Sequence, residues 1–356
     1  MDGGTVVVRL DSLGDVLVCG PAIRAVAASR PVTLLCGPGG AEAAQLLPGV
    51  SDVLVWACPW IEADPSPVSA DAIAELVTRL RAVSADDAVI LTSFHQSALP
   101  TALVLRMAGI GRITAISEDY AGTLLDRRLA PPDDAPEPER MLAVARAAGY
   151  DLPARDRGGL AVRTDLLDAA DASAIVRPAE GPYLVVHPGA TAPARRYPAE
   201  SWCEVVRLLS GRGRHVLVTG SAAESELTAR VTAAAVGPGT ARDCGGQLSL
   251  IELASVLRQA AALAAANTGP AHLAAAVGTP VVSLFAPVVP AARWAPYAEH
   301  ILLGDQSAPC SDTRARVCPV PAHPCLASVP PRRVVDALEY YLARAGSPTG
   351  RAAVPA

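Results

Sequence analysis

Short runs of β-branched and apolar residues alternate along this chain with Ala- and Leu-rich stretches of helical length. That alternation is the pattern of βαβ units on a parallel sheet. In the first half, strands are expected near Thr5–Leu10, Val32–Cys36, Val53–Trp56, Ala88–Thr92 and Ile113–Ile116. Helices fit between them at about Val16–Ala28, Ala41–Leu47, Ala70–Val83 and Ala98–Ala108, with a further helical run at Met141–Ala148 after the Pro- and Asp-rich segment Pro131–Glu139. A second series begins at Tyr183–His187 and continues through His215–Thr219, Ala261–Ala265 and Val281–Phe285. Between the two series, Asp151–Glu180 carries only weak strand and helix signals, and the domain boundary is placed there.

With 356 residues and roughly 100–200 per domain, two domains are expected: residues 1–165 and 166–331, followed by a terminal helix at 332–345 and a frayed tail at 346–356. The fold class is therefore α/β, with two open sheets in tandem. Ligands in such sheets bind beyond the carboxyl ends of the strands, so an interdomain cleft is the expected binding region.

Composition narrows the chemistry. All 30 basic residues are Arg, which removes a lysine Schiff base, a cofactor-anchoring lysine and the Walker A lysine together. A net charge of −5 without Arg-rich runs argues against a nucleic-acid partner. The N-terminus has no cationic segment before its apolar run, and the longest apolar stretch, Ala260–Phe285, is broken by Asn267, Gly269-Pro270 and Gly278-Thr279-Pro280. A cytoplasmic protein with free thiols is expected; an Arg-lined patch could still give peripheral contact with the inner face of a membrane. Cys310, Cys318 and Cys325 lack C-x-x-C spacing; with His323 they could form a zinc site, but structural thiols fit the pattern better.

Four strand-to-helix loops could carry chemistry. Asp11-Ser12-Leu13-Gly14-Asp15 follows the first strand; Asp15 is placed to project a carboxylate from a helix start, although the local pattern alone favours a helix cap. The loop from His187 to Pro198 combines small residues with Thr191, Arg195 and Arg196, whose guanidinium forks suit a phosphate or diphosphate, or form a solvated pair. Asn267-Thr268-Gly269-Pro270-Ala271-His272 opens a helix whose free N–H groups could bind an anion; a lone His such as His272 is more often a satisfied buried polar group than a catalyst. In Gly220-Ser221-Ala222-Ala223-Glu224, Glu224 could accept from ribose hydroxyls or merely cap a helix. The chain has no D-x-D, G-x-S-x-G, H-E-x-x-H or G-x-G-x-x-G sequence.

In their order, RLDSLGD (Arg9–Asp15), VVHPGA with RRYP (Val185–Pro198), VTGS with Glu224, CGGQLSLIELASVL (Cys244–Leu257), NTGPAHLAAAVGTPVVSLFAP (Asn267–Pro287) and HPCLASVPPRRVVDAL (His323–Leu338) resemble one family, the family 9 glycosyltransferases. Its known members include the ADP-heptose heptosyltransferases of lipopolysaccharide core assembly. The resemblance implies a GT-B fold of two Rossmann-like domains, acceptor bound mainly by the first and nucleotide sugar by the second. It implies inverting, metal-independent transfer from an ADP-sugar to a glycan, glycolipid or small-molecule hydroxyl. By position, Asp15 resembles the general base. Thr191, Arg195, Arg196, Glu224, Asn267, Thr268, Gly269 and His272 resemble the donor site, and no cofactor is implied. Arg195 stands where the family usually has Lys, and Asn267 where it usually has Asp. A sugar-nucleotide epimerase or hydrolase of related fold, and a non-catalytic sugar-nucleotide-binding protein, are the alternatives.

Overall fold

The computed structural model describes residues 3–132, 134–169 and 181–345. The expected frayed tail at 346–356 and part of the segment between the two strand series lie outside them. The chain divides into two compact units, Met1–Arg163 and Thr164–Ala356.

The first unit carries six strands: β1 (Gly4–Arg9), β2 (Val32–Cys36), β3 (Val50–Val55), β4 (Ala85–Ile90), β5 (Arg112–Ile116) and β6 (Arg127–Leu129). All pair in parallel, in the order β3-β2-β1-β4-β5-β6. The helices are α1 (Leu13–Leu17), α2 (Gly20–Ala27), α3 (Ala41–Leu46), α4 (Ala70–Val83), α5 (Leu99–Met107) and α6 (Glu137–Ala147). The single helix expected over Val16–Ala28 is two helices, because Pro21, in the first turn of α2, has no N–H to donate back into α1. α6 starts earlier than its apolar run suggests, since Pro138 sits in its first turn, where the missing donor costs nothing. Val6, Val8, Ile90, Ile113 and Leu105 centre a core that Leu76, Leu80 and Ala102 cover from α4 and α5.

The second unit repeats the plan. α7 (Thr164–Ala169) precedes β7 (Tyr183–His187), α8 (Ala199–Gly211), β8 (His215–Gly220), α9 (Ser225–Thr232), β9 (Thr240–Gly245) and α10 (Leu250–Gln259). Then come β10 (Ala262–Ala266), α11 (Gly269–Ala276), β11 (Val281–Leu284), α12 (Ala291–Trp294), β12 (His300–Leu303), α13 (Pro324–Ala327) and α14 (Pro331–Ala345). The sheet is again all parallel, in the order β12-β11-β10-β7-β8-β9. Trp202 of α8 is fully buried and meets Tyr197 edge-on, with ring centroids 5.2 Å apart. α14 closes this core: Val334, Val335, Leu338, Tyr341 and Leu342 recur at helical spacing and are all buried.

Each sheet reverses its winding once. In the first unit the chain runs outward through β1, β2 and β3, then returns to place β4 on the other side of β1. In the second it runs through β7, β8 and β9, then places β10 on the other side of β7. The crevices beyond the carboxyl ends of β1/β4 and β7/β10 are the positions where open α/β sheets bind ligands. Among the described residues no helix is long and apolar enough to cross a membrane.

Candidate functional site

At the first crevice, β1 ends in Arg9, whose side chain is completely buried. Its Nε lies 2.8 Å from Asp11 Oδ2, and its Nη2 donates to Asp15 Oδ1 at 2.8 Å and to Ser93 Oγ at 2.7 Å. Behind it, Nη1 faces Glu137 at 3.8 Å, and Arg140 donates to the Thr92 carbonyl at 2.6 Å. Burial works against the charge on Arg9, but Asp11, Asp15 and Glu137 together hold its pKa above the ordinary value. Burial pushes the Asp11 carboxyl up, against the pull of Arg9.

Asp15 sits in the first turn of α1, where a negative charge is favoured. Ser12 Oγ donates to Asp15 Oδ2 at 2.7 Å, while Oδ1 takes the Arg9 bond. The carboxylate is thus clamped from two sides yet keeps a fifth of its side chain exposed. From the β4 side, Gln96 donates to Asp11 Oδ1 and accepts from the Ser93 N–H. Ser12 is the residue that precedes α1, but its hydroxyl serves Asp15 rather than capping the helix.

At the second crevice, a single 3-10 turn, Pro193–Arg195, follows the loop after β7. It sends Arg195 and Arg196 in different directions. Arg195 Nη1 donates to the Asn267 carbonyl at 3.2 Å, and Arg196 Nε donates to the Ala190 carbonyl at 2.8 Å. Arg195 therefore stands beside the N-terminus of α11, which Thr268 precedes and Pro270 opens. Asn267 is buried, and its Oδ1 has no hydrogen-bond partner among the described residues. His272 is buried within α11, and Thr191 is exposed on the loop. A guanidinium next to a helix N-terminus is an anion-binding arrangement.

Glu224 joins this site from the end of β8. Its Oε2 accepts from the Ser221 N–H at 2.8 Å and from Ser221 Oγ at 2.9 Å, so it does cap the turn before α9. It also leans over Gly189: a Cβ at that position would collide with the Glu224 carboxylate. His187, the last residue of β7, lies with Nε2 3.9 Å from Glu224 Oε2 and Nδ1 3.0 Å from Thr219 Oγ1. Burial pushes the His187 imidazole pKa down, and Glu224 opposes it only in part. The Cys-bearing tail braces the same loop. Ala194 N–H donates to the Arg316 carbonyl at 2.8 Å, and His323 Nε2 lies 3.0 Å from the Ala194 carbonyl. Cys310 and Cys325 are buried, and burial lifts the Cys325 thiol to about 12 with Cys310 and Cys318 beside it. Among the described residues no group of three or more His, Cys, Asp or Glu is arranged to hold a metal ion.

The residues that the sequence patterns leave unassigned are Arg9, Ser12, Ser93 and Gln96 around Asp15, and His187 with Thr219 beside Glu224. One signal is available for Arg9: a charged residue ending the apolar run Val6-Val7-Val8 needs a buried partner.

Comparison with known proteins agrees with this architecture. The family model described as glycosyltransferase family 9 (heptosyltransferase) matches residues 73–323, a stretch that does not reach Asp15. The lipopolysaccharide heptosyltransferase 1 of Pseudomonas aeruginosa is 33% identical over 235 residues, which cover 63% of this chain and 61% of that protein, so the match spans about three fifths of the relative. Among solved structures, the E. coli ADP-heptose lipopolysaccharide heptosyltransferase II superposes with a TM-score of 0.75 at 20% identity, covering 97% of this chain and 100% of that one. A family 9 glycosyl transferase from Veillonella parvula gives a TM-score of 0.77 at 18% identity, covering 96% and 98%. E. coli heptosyltransferase WaaC with ADP gives 0.70 at 20% identity, covering 95% and 99%. The fold is the two-domain α/β fold of these GT-B structures.

Proposed function

The chain belongs to glycosyltransferase family 9, and on that premise we propose that it is an inverting transferase moving a heptose or related sugar from an ADP-sugar to an acceptor hydroxyl. The observation that carries this reading is Asp15, clamped by Arg9 and Ser12 at the β1/β4 crevice with its carboxylate still partly open to solvent.

In this mechanism the acceptor oxygen attacks the anomeric carbon while its proton passes to the Asp15 carboxylate. The bond from that carbon to the diphosphate oxygen breaks, and a single displacement inverts the configuration. A positioned base of this kind contributes about 10²–10⁴-fold. The leaving diphosphate gathers negative charge, which Arg195 and the N–H groups opening α11 stabilise; no metal is assigned a role. Glu224, beside the Gly189 backbone, receives ribose hydroxyls, and Asn267 and His272 border the sugar. ADP as the nucleotide follows the relatives whose names include ADP or ADP-heptose. A cytoplasmic location, with the acceptor supplied there, belongs to the same reading.

Thermal unfolding with ADP, UDP, GDP and dTDP, each alone and without metal, tests it. A ligand at 100 times its Kd adds about 2.7 kcal/mol to the state that binds it. At roughly 2–4 °C per kcal/mol, that is a rise of several degrees. A selective ADP shift is expected. A selective shift with another nucleotide overturns the donor assignment, and no shift with any of them counts against the transferase.

A further inference from the structure

The acceptor side of the molecule has a charge and surface chemistry that single out what it can hold. Because all six strands of the first sheet are parallel, the connections that follow β1 to β5 leave from the same edge as the Asp15 crevice. Those connections contain Asp11, Glu62, Asp64, Glu118 and Asp119, and among their described residues there is no arginine. Arg79 donates to the Val55 carbonyl at 3.0 Å and Arg128 to the Asp119 carbonyl at 3.1 Å; both keep their charge, but they are fewer than the carboxylates of these connections. Arg9 and Arg140 lie buried beneath this edge, engaged as described above. The contrast with the second unit is direct, since the loop after β7 carries Arg195 and Arg196.

The same edge carries aromatic side chains, two of them partly buried against the core and two exposed. Trp56 and Trp60 meet edge-on at 5.2 Å, and Trp60 Nε1 donates to Thr101 Oγ1 of α5 at 3.2 Å. The connection after β3 therefore reaches from β3 to α5. A Cβ on Gly37 would run into the Leu10 carbonyl and lie 3.4 Å from Glu62 Oε1, which puts Glu62 beside the start of the Asp15 loop. Phe94 follows β4 and is 41% exposed, and Tyr120 follows β5 and is 89% exposed. Large exposed aromatics near a crevice are surface that a ligand can cover.

We infer that the acceptor is an amine-bearing, hydroxylated compound with an apolar face, and not a phosphorylated or carboxylated glycolipid. A polyanion would meet an excess of carboxylates of like charge at the mouth of the crevice, whereas an ammonium group gains from the carboxylate field and from aromatic faces. This inference rests on the transferase reading for the location of the acceptor, and its test is separable from that reading.

Equilibrium binding to the full chain at physiological salt is measured for two probes: kanamycin A, two amino sugars joined to an aminocyclitol, and the acidic disaccharide of 3-deoxy-D-manno-octulosonic acid. The measurement is repeated with the triple variant Glu62→Gln, Glu118→Gln, Asp119→Asn. ADP affinity, a property of the second unit, reports that the variant is folded and tests the donor reading on its own. Kanamycin should bind at least about tenfold more tightly than the acidic disaccharide, and the variant should lose about fivefold or more of that affinity while holding ADP as before. Tighter or equal binding of the acidic disaccharide, no binding of kanamycin, or unchanged kanamycin binding by the variant overturns the inference. Loss of ADP binding by the wild-type chain would instead strike the transferase reading.

Discussion

Arg9, wholly out of solvent, donates from Nη2 to Asp15 Oδ1 at 2.8 Å. The same guanidinium reaches Asp11 from Nε and Ser93 from Nη2, so one planar group orients three side chains drawn from two strand-end loops. A lysine would keep the charge but not the fork. We therefore expect Arg9→Lys to lower kcat about 10- to 100-fold, with ADP affinity unchanged and KM within about twofold. Asp15→Asn should retain ADP binding and lose about two orders of magnitude or more in turnover. ADP release from ADP-heptose with an active acceptor reads both. Near-normal turnover of Asp15→Asn would remove that carboxylate from the base role.

How much of this is legible in the sequence differs between strands and site. The central strands need no structure to be seen: Val6-Val7-Val8 and Val281-Val282 are continuous β-branched runs, and every one of these residues is buried. Three strands give no such signal. β6 is Arg-Arg-Leu, β9 is Thr-Ala-Arg-Asp-Cys-Gly, and β12 is a four-residue His-Ile-Leu-Leu; each lies at a sheet edge, where a short or polar strand is tolerated because one side of it stays open. Asp15 is visible from its motif, but its clamp is not, since Ser93 is 84 residues away from Arg9 in sequence. Likewise the pair Arg195-Arg196 gives no hint that the 3-10 turn aims only the first of them at Asn267.

The close approach of Glu224 to Gly189 yields a further prediction. In Gly189→Ala the new methyl would collide with the Glu224 carboxylate, the mobile end of a side chain, so the backbone can stay while Glu224 swings away. Its two bonds to Ser221 would be lost with it. Loss of a cap costs about 0.5–2 kcal/mol, so a drop of a few degrees in melting temperature is expected. ADP affinity should fall roughly tenfold, about 1.4 kcal/mol. Titration calorimetry and a thermal melt on one sample measure both; unchanged affinity would leave Glu224 as a cap and nothing more.

His187 makes the second unit sensitive to acid. Burial lowers its folded-state pKa, so the unfolded chain binds the proton more readily. The stability associated with neutral His187 is complete above its unfolded value, about 6.5, and is lost as pH falls through that value toward the lower folded one. The slope from one such group reaches at most about 1.4 kcal/mol per pH unit. Between about pH 7.5 and 5.5 the wild-type chain should lose more stability than His187→Gln does. Parallel pH dependence in the two would show that the imidazole titrates alike in both states.

The last prediction concerns Arg195. Its guanidinium is fixed from behind, because the turn that carries it is held by the Ala194 bonds to Arg316 and His323, and Nη1 bonds the Asn267 carbonyl. A cation held in place before a ligand arrives loses little freedom on binding, so its contribution to a diphosphate is large for one side chain. Hydrogen bonds to charged groups are worth about 1.5–3 kcal/mol. Arg195→Ala should accordingly weaken ADP binding about 10- to 100-fold, and Arg195→Lys should recover the charge but only part of the affinity. Arg196→Ala is the comparison, since Arg196 bonds the Ala190 carbonyl and not the Asn267 carbonyl. Equal losses in Arg195→Ala and Arg196→Ala would mean that the loop binds the diphosphate as a diffuse positive patch rather than through one placed guanidinium.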